Sequence, residues 1–254
     1  MNVTFRQSAP ERAAAAALHK QFDRIRHTTD GMYRYLSPEA RQLARQVVET
    51  RLRNVIFYLR DNNPAEAAVQ LSLSADCLQN AVHCPLKHCH IEIDSLMLGF
   101  LREAVDYHVL AIEFFRLGLK QVNLPREQRQ LANELKYTSR TLRFLYHHDP
   151  SYQNAGTRAW LVELSTEAAE TYSRLRLFRD SFYEYAHNAD VLLDGTLAGA
   201  DLQPAISAAS QACVQAGLYQ GPYEGELFAH VANLRLMLDL AAQVKTLSTP
   251  SRPR

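Results

Sequence analysis

Cys77, His83, Cys84, His88, Cys89 and His90 form the densest group of thiol and imidazole side chains in the chain. Zinc takes thiolate and imidazole ligands, commonly from closely spaced pairs on a turn. Cys84 and Cys89 are separated by four residues, with His88 between them and Pro85 predicting a turn. Cys77 precedes Cys84 by two helical turns, so the two can share a face. A site for zinc or another divalent metal on Cys84, His88, Cys89 and His90 is one expectation. The other is a histidine-rich connection whose cysteines pack as small apolar groups.

Further along, Phe144-Leu145-Tyr146 leads into His147-His148-Asp149. This run resembles the paired His-Asp of HD-type metal-dependent phosphohydrolases, which are also all-α. The resemblance implies a metal-dependent hydrolase in which His148 and Asp149 are the dyad. It also implies an earlier histidine, which His108 would supply, and a later aspartate, Asp190 or Asp194. Pro150 stands where that family's motif continues through a helix. The alternative is a helix end, where histidines interact favourably with the macrodipole.

His108 falls on an apolar stripe, so it is either a ligand or a buried ring needing a partner on a neighbouring helix. Glu184 and His187 have the Glu-x-x-His spacing of di-iron bundles but lack a second copy, and read as a surface pair. Cys213 or Cys89 could act as a nucleophile only beside a base. There is no P-loop, glycine-rich dinucleotide turn or Gly-x-Ser-x-Gly elbow. Tyr33, Tyr35, Tyr219 and Tyr223 fall in connections, and Tyr219 and Tyr223 are candidate interaction residues.

The elements that must position these groups are helices. Apolar residues recur at steps of three and four, with capping residues at the ends. Helices are predicted on the faces Ala14-Leu18-Phe22-Ile25, Ala44-Val48-Leu52-Val55-Leu59 and Ala68-Leu71-Ala75-Leu78-Val82. The third of these is expected to break at Cys84-Pro85. Met97, Leu101, Ala104, His108, Ile112, Phe115 and Leu119 predict one rod over 92–120. Leu131, Leu135, Thr138, Leu142 and Leu145 mark the next helix. An unbroken helix is predicted over 157–188, a shorter one over 202–216 ending at Gly217, and a last one carrying Leu227, Val231, Leu234 and Leu238. Residues 248–254 are expected to be a disordered tail.

The fold expected is therefore all-α: a bundle of about eight mostly long antiparallel helices with no significant sheet. It is expected as a single domain over 1–247, with subdivision near 121–125 or 149–156 as the alternative. Among the 254 residues, 47% are hydrophobic and 22% charged, with a net charge of +1. That balance lacks the cationic surplus of a general nucleic-acid binder. No apolar run is long enough to span a bilayer. Residues Met1 to Arg12 carry Arg6, Glu11 and Arg12 and have no apolar core of a secretory signal. A cytoplasmic protein with reduced thiols is expected.

No complete catalytic constellation emerges. The leading expectation is an intracellular α-helical protein–protein interaction module (adaptor, regulatory or chaperone-like). It would need no catalysis or cofactor, and would act through a protein partner or homo-oligomer, without nucleic acid or membrane. The alternatives are the HD-like metal-dependent hydrolase and a sensory helical bundle holding a small apolar ligand.

Overall fold

The computed structural model describes residues 11–27, 38–89, 93–194, 203–222, 225–227, 229–236 and 239, with the side chains of 25–27, 38–39, 83–89 and 194 excepted. The protein is all-α, and no strand occurs among the described residues. The helices are α1 (Arg12–His27), α2 (Pro38–Arg60), α3 (Pro64–Cys89), α4 (Ser95–Gln121) and α5 (Pro125–His148). A 3-10 turn (Pro150–Tyr152) is followed by α6 (Ala155–Arg174), α7 (Phe178–Asp194) and α8 (Gln203–Leu218). Residues 225–227, 229–236 and 239 are helical as well. The chain divides into two compact units, Met1–Asn154 and Ala155–Arg254.

In the first unit each helix packs chiefly on its neighbours in sequence, because the links are too short to allow anything else. The α2–α3 corner is the clearest case. Asn62 adopts φ 50°, its N–H bonds the carbonyl of Leu59, and the Asn63 N–H reaches back to Tyr58 at 2.8 Å. This is a Schellman closure, with asparagine tolerating the left-handed conformation. Pro64 then opens α3 at the position where a missing N–H is harmless. At this same end of α3, a Cβ on Gly118 would sit 3.1 Å from that of Ala65, so glycine lets α4 approach α3 closely. Asp94 caps α4 by accepting from the Met97 N–H at 2.7 Å.

The core of this unit holds Phe22, Tyr58, Leu71, Leu78, Leu101, Leu135, Leu142 and Leu145, all essentially inaccessible. The α4 stripe lies inward as the sequence predicts, Met97, Leu101, Ala104, His108, Ile112 and Phe115 all being buried.

Four expectations are corrected. First, α3 does not break at Cys84-Pro85 but runs to Cys89. Proline removes one backbone bond and crowds the preceding turn, and here the helix absorbs both. Second, the rod over 157–188 is two helices. Arg176 has φ 58°, its N–H bonds Ser173, and the Leu177 N–H bonds Tyr172 at 2.8 Å. The closure is the same as at Asn62, with an arginine where glycine is usual. Third, Leu59 is 42% exposed, while Arg51 and Asn54 lie inside. Ala44, Val48 and Val55 of the predicted stripe are buried, so the inward face of α2 is the stripe without Leu59 and with polar residues added, of which Arg51 bonds His19 on α1 and Gln70 on α3. Fourth, α8 continues past Gly217 to Leu218.

The second unit has a core of Phe182, Ala186 and Ala189 from α7, Ala209, Ala212 and Ala216 from α8, and Leu227, Val231 and Leu234. Alanines at successive turns let these backbones come close together. Ser181 Oγ donates to the Ala169 carbonyl and Asn188 Nδ2 to Thr166 Oγ1, fastening α7 to α6.

Candidate functional site: a buried polar network around His108

Three helices converge on His108. From α3, Ser72, Asp76 and Gln79 stand at steps of four and three, so they share a face. From α5, Glu134, Thr138 and Thr141 do the same. His108 itself is fully buried and Glu134 is 2% exposed.

The hydrogen bonds form one continuous chain. His108 Nδ1 lies 2.6 Å from Glu134 Oε1, and Ser72 Oγ donates to Glu134 Oε2, also at 2.6 Å. His108 Nε2 lies 2.6 Å from Gln79 Nε2, which also donates to Thr141 Oγ1. Thr141 Oγ1 donates onward to the Tyr137 carbonyl at 3.0 Å. One assignment satisfies every member: Nδ1–H donates to the carboxylate, and Nε2 accepts from the Gln79 amide. Both ring nitrogens of His108, both carboxylate oxygens of Glu134 and the Gln79 amide nitrogen then have partners.

Asp76 sits beside this chain. Burial chiefly pushes its carboxyl up to about 6, with Glu134 pushing the same way and Arg51 opposing. Arg51 links this region to α1 and α2. Its Nη1 donates to Gln70 Oε1 at 3.0 Å, and its Nη2 lies 2.8 Å from His19 Nδ1. Cys77, fully buried close by, has its thiol pushed up to about 12, chiefly by burial. A thiol held protonated is a poor nucleophile.

The chemistry open to this arrangement is limited. Ser72 addresses the carboxylate rather than the imidazole, so it has no neighbouring nitrogen base of the kind a serine nucleophile uses. Both ring nitrogens of His108 are engaged. The network joins α3, α4 and α5 in one register, which is a positioning task.

Asp149 has different employment. Its side chain is 2% exposed; Oδ2 accepts from Arg102 Nε and Nη2, each at 2.7 Å, while Oδ1 accepts from the N–H and Oγ of Ser151. The Arg102 hydrogen bond holds this carboxyl below its usual range, burial opposing, with Ser151 assisting. Asp149 therefore caps the 3-10 turn and anchors it to α4. His147 and His148 are exposed, and the His148 ring stacks on Phe144 at 4.4 Å. Burial, then His147, lowers the His148 pKa. The residues of the HD-type resemblance thus point to different partners: His148 of the dyad to Phe144, Asp149 to Arg102 and Ser151, and the earlier histidine, His108, to Glu134 and Gln79.

No group of three or more His, Cys, Asp or Glu able to hold a metal ion occurs among the described residues. The side chains of Cys84, His88, Cys89 and His90 lie outside that set, as do those of Tyr223 and Asp194. Glu184 is 1% exposed, not on the surface. The break at Arg176 rephases α7 relative to a straight rod, and that turns Glu184 inward. Tyr219 donates its hydroxyl to the Pro222 carbonyl at 2.7 Å, so its polar tip is used within its own loop. In the second unit a groove of about 450 Å3 runs between α8 and the last helical residues, lined by Cys213, Ala216, Val231 and Leu236 among others.

His108 was legible as a buried ring, but its partners were not. Glu134 stands beside Leu135 and reads as the polar margin of a stripe. The signal that existed was a third polar residue, Thr138, on the same inward row.

The fold is all-α, and this network links three of its helices through buried polar side chains. No family model matches the sequence, and no curated protein matches it. Among solved structures, the chain is similar to the DHF58 filament at 13% identity and TM-score 0.45, covering 93% of this chain and 96% of that one. It is also similar to the de novo designed helical repeat protein DHR64, at 14% identity and TM-score 0.45, covering 93% and 97%. Among the described residues no helix is long and apolar enough to cross a membrane.

Proposed function

We propose that the chain is an α-helical protein–protein interaction module that acts through the outward face of α4. The observation that carries this reading is a line of residues opposite the buried stripe. Leu96, Glu103, Leu110 and Leu117 recur every seventh position, and the three leucines are 43%, 47% and 45% exposed. Half-buried Phe114 lies beside the line. Single exposed leucines are ordinary on any protein surface. Leucines in a heptad line, on the back of a helix whose other face is buried, match what a partner helix packs against.

The partner is a second protein or another copy of this chain. A cytoplasmic setting fits the free thiols of Cys77 and Cys213. The reading is tested with Leu110→Glu/Leu117→Glu in the full chain, by light scattering and by capture from native lysate. Wild type is expected to self-associate or to retain a defined partner, and the variant to lose it with unchanged helix content. Association that survives both substitutions would overturn the assignment to α4.

A further inference from the structure

α1 is held to the rest of its unit by a contact that depends on a proton being absent. His19 is 14% exposed, and its Nδ1 lies 2.8 Å from Arg51 Nη2. A guanidinium has only donors, so Nδ1 must be the acceptor and the ring must be neutral, with its proton on Nε2. Nε2 faces Asp23 Oδ1 of the same helix at 3.9 Å. Arg51 cannot turn away easily, because its other arm is bonded to Gln70 on α3 and the side chain is 5% exposed. Protonating Nδ1 therefore places two donors and two positive charges face to face.

We propose that α1 is an arm released by acid: neutral His19 fastens it to Arg51 of α2, and the imidazolium cannot. The other attachments of α1 are fewer than those of an interior helix. Ala15 and Phe22 are buried, and Glu11, just before α1, accepts from Arg53 Nε at 2.5 Å.

The charged and titratable groups around His19 are Asp23 from α1, Arg51 from α2, and Asp76 and Cys77 from α3, the last two acting on Arg51. Burial, then Arg51, lowers the His19 pKa, with Asp23 opposing. A histidine held neutral in the folded state contributes fully above about 6.5, its unfolded value. That contribution is lost as pH falls below it. Asp23 favours the proton but is 42% exposed, so solvent weakens its hold.

Hydrogen exchange across residues 12–24 of the full chain tests the proposal, with rates corrected for the intrinsic effect of pH. In wild type, protection of these amides is expected to fall at least about tenfold between pH 7.5 and 5, the size expected for a lost charge-assisted hydrogen bond. His19→Asn places an amide oxygen where Nδ1 stands and accepts at every pH, so protection in that variant is expected to be flat. Asp76→Asn is expected to keep the wild-type fall. A constant wild-type protection overturns the proposal, and so does a fall that persists in His19→Asn or disappears in Asp76→Asn. Should His19→Asn lose α1 protection at every pH, the wild-type ring decides. Its NMR titration must coincide with the exchange midpoint, and a ring that stays neutral through the midpoint overturns the proposal.

Discussion

His108 Nδ1 and Glu134 Oε1 meet at 2.6 Å in the interior of the first unit, with 0% and 2% of their side chains exposed. Neither residue can be removed alone without stranding the other. His108→Leu leaves the Glu134 carboxylate with Ser72 only, and a broken buried pair typically costs about 3–5 kcal/mol. Urea unfolding followed by exchange of α4 and α5 amides is expected to show a loss of that size. His108→Leu/Glu134→Met, which removes both partners, is expected to recover most of it. A single-variant loss under about 1 kcal/mol would mean that the pair does not hold the register.

Asp76 gives a prediction of opposite sign. Its folded pKa of about 6 exceeds the usual 3.8, so the folded state binds this proton more tightly than the unfolded chain does. The stability it contributes is complete below about pH 4 and is lost as pH rises through about 6. Asp76→Asn is therefore expected to be more stable than wild type at pH 7.5, by about 1–3 kcal/mol for a shift of this size. The two curves should converge near pH 4. Equal stability at pH 7.5 would show that the carboxylate is solvated after all.

The Arg102–Asp149 contact behaves as an ordinary depressed carboxyl. Its stabilisation is present above the unfolded value of about 4 and disappears as pH falls further. Asp149→Asn keeps a side-chain oxygen to cap the 3-10 turn but loses the charge facing Arg102. Because Arg102 is 47% exposed, the expected loss at pH 7 is only about 1 kcal/mol. The difference from wild type should vanish near pH 2 in thermal melts.

Arg176 offers a gain. At φ 58° it occupies a conformation that disfavours side chains by about 1–2 kcal/mol. Arg176→Gly is expected to stabilise the second unit by about 1 kcal/mol, less the extra entropy of glycine in the unfolded chain. Fluorescence of Trp160, the protein's single tryptophan, reports on α6 directly. Arg176→Val should move the melt the other way. A glycine variant no more stable than wild type would indicate that the corner is held by packing instead.

The α4 stripe and the corner at Asp61-Asn62-Asn63-Pro64 were legible because each depends on residues within one or two turns. The corner at Arg176 was not, since arginine carries no preference for the left-handed conformation and the apolar period runs through it unbroken. Pro85 misled for the opposite reason: its local preference was real, and the helix overrode it. Tyr219 looked available until its hydroxyl was found bonded to the Pro222 carbonyl.

The order of amino acids by itself determined that this chain is helical, with most of its helix ends, because periodicity and capping act over a few residues along the chain. Only the tertiary structure decided that Arg51, Asn54 and Glu134 lie inside, that His108 is satisfied, and that Asp149 serves Arg102. Those outcomes depend on which side chains meet across helices far apart in the chain, and for Arg51 and Glu134 the buried position goes with a bonded partner on another helix.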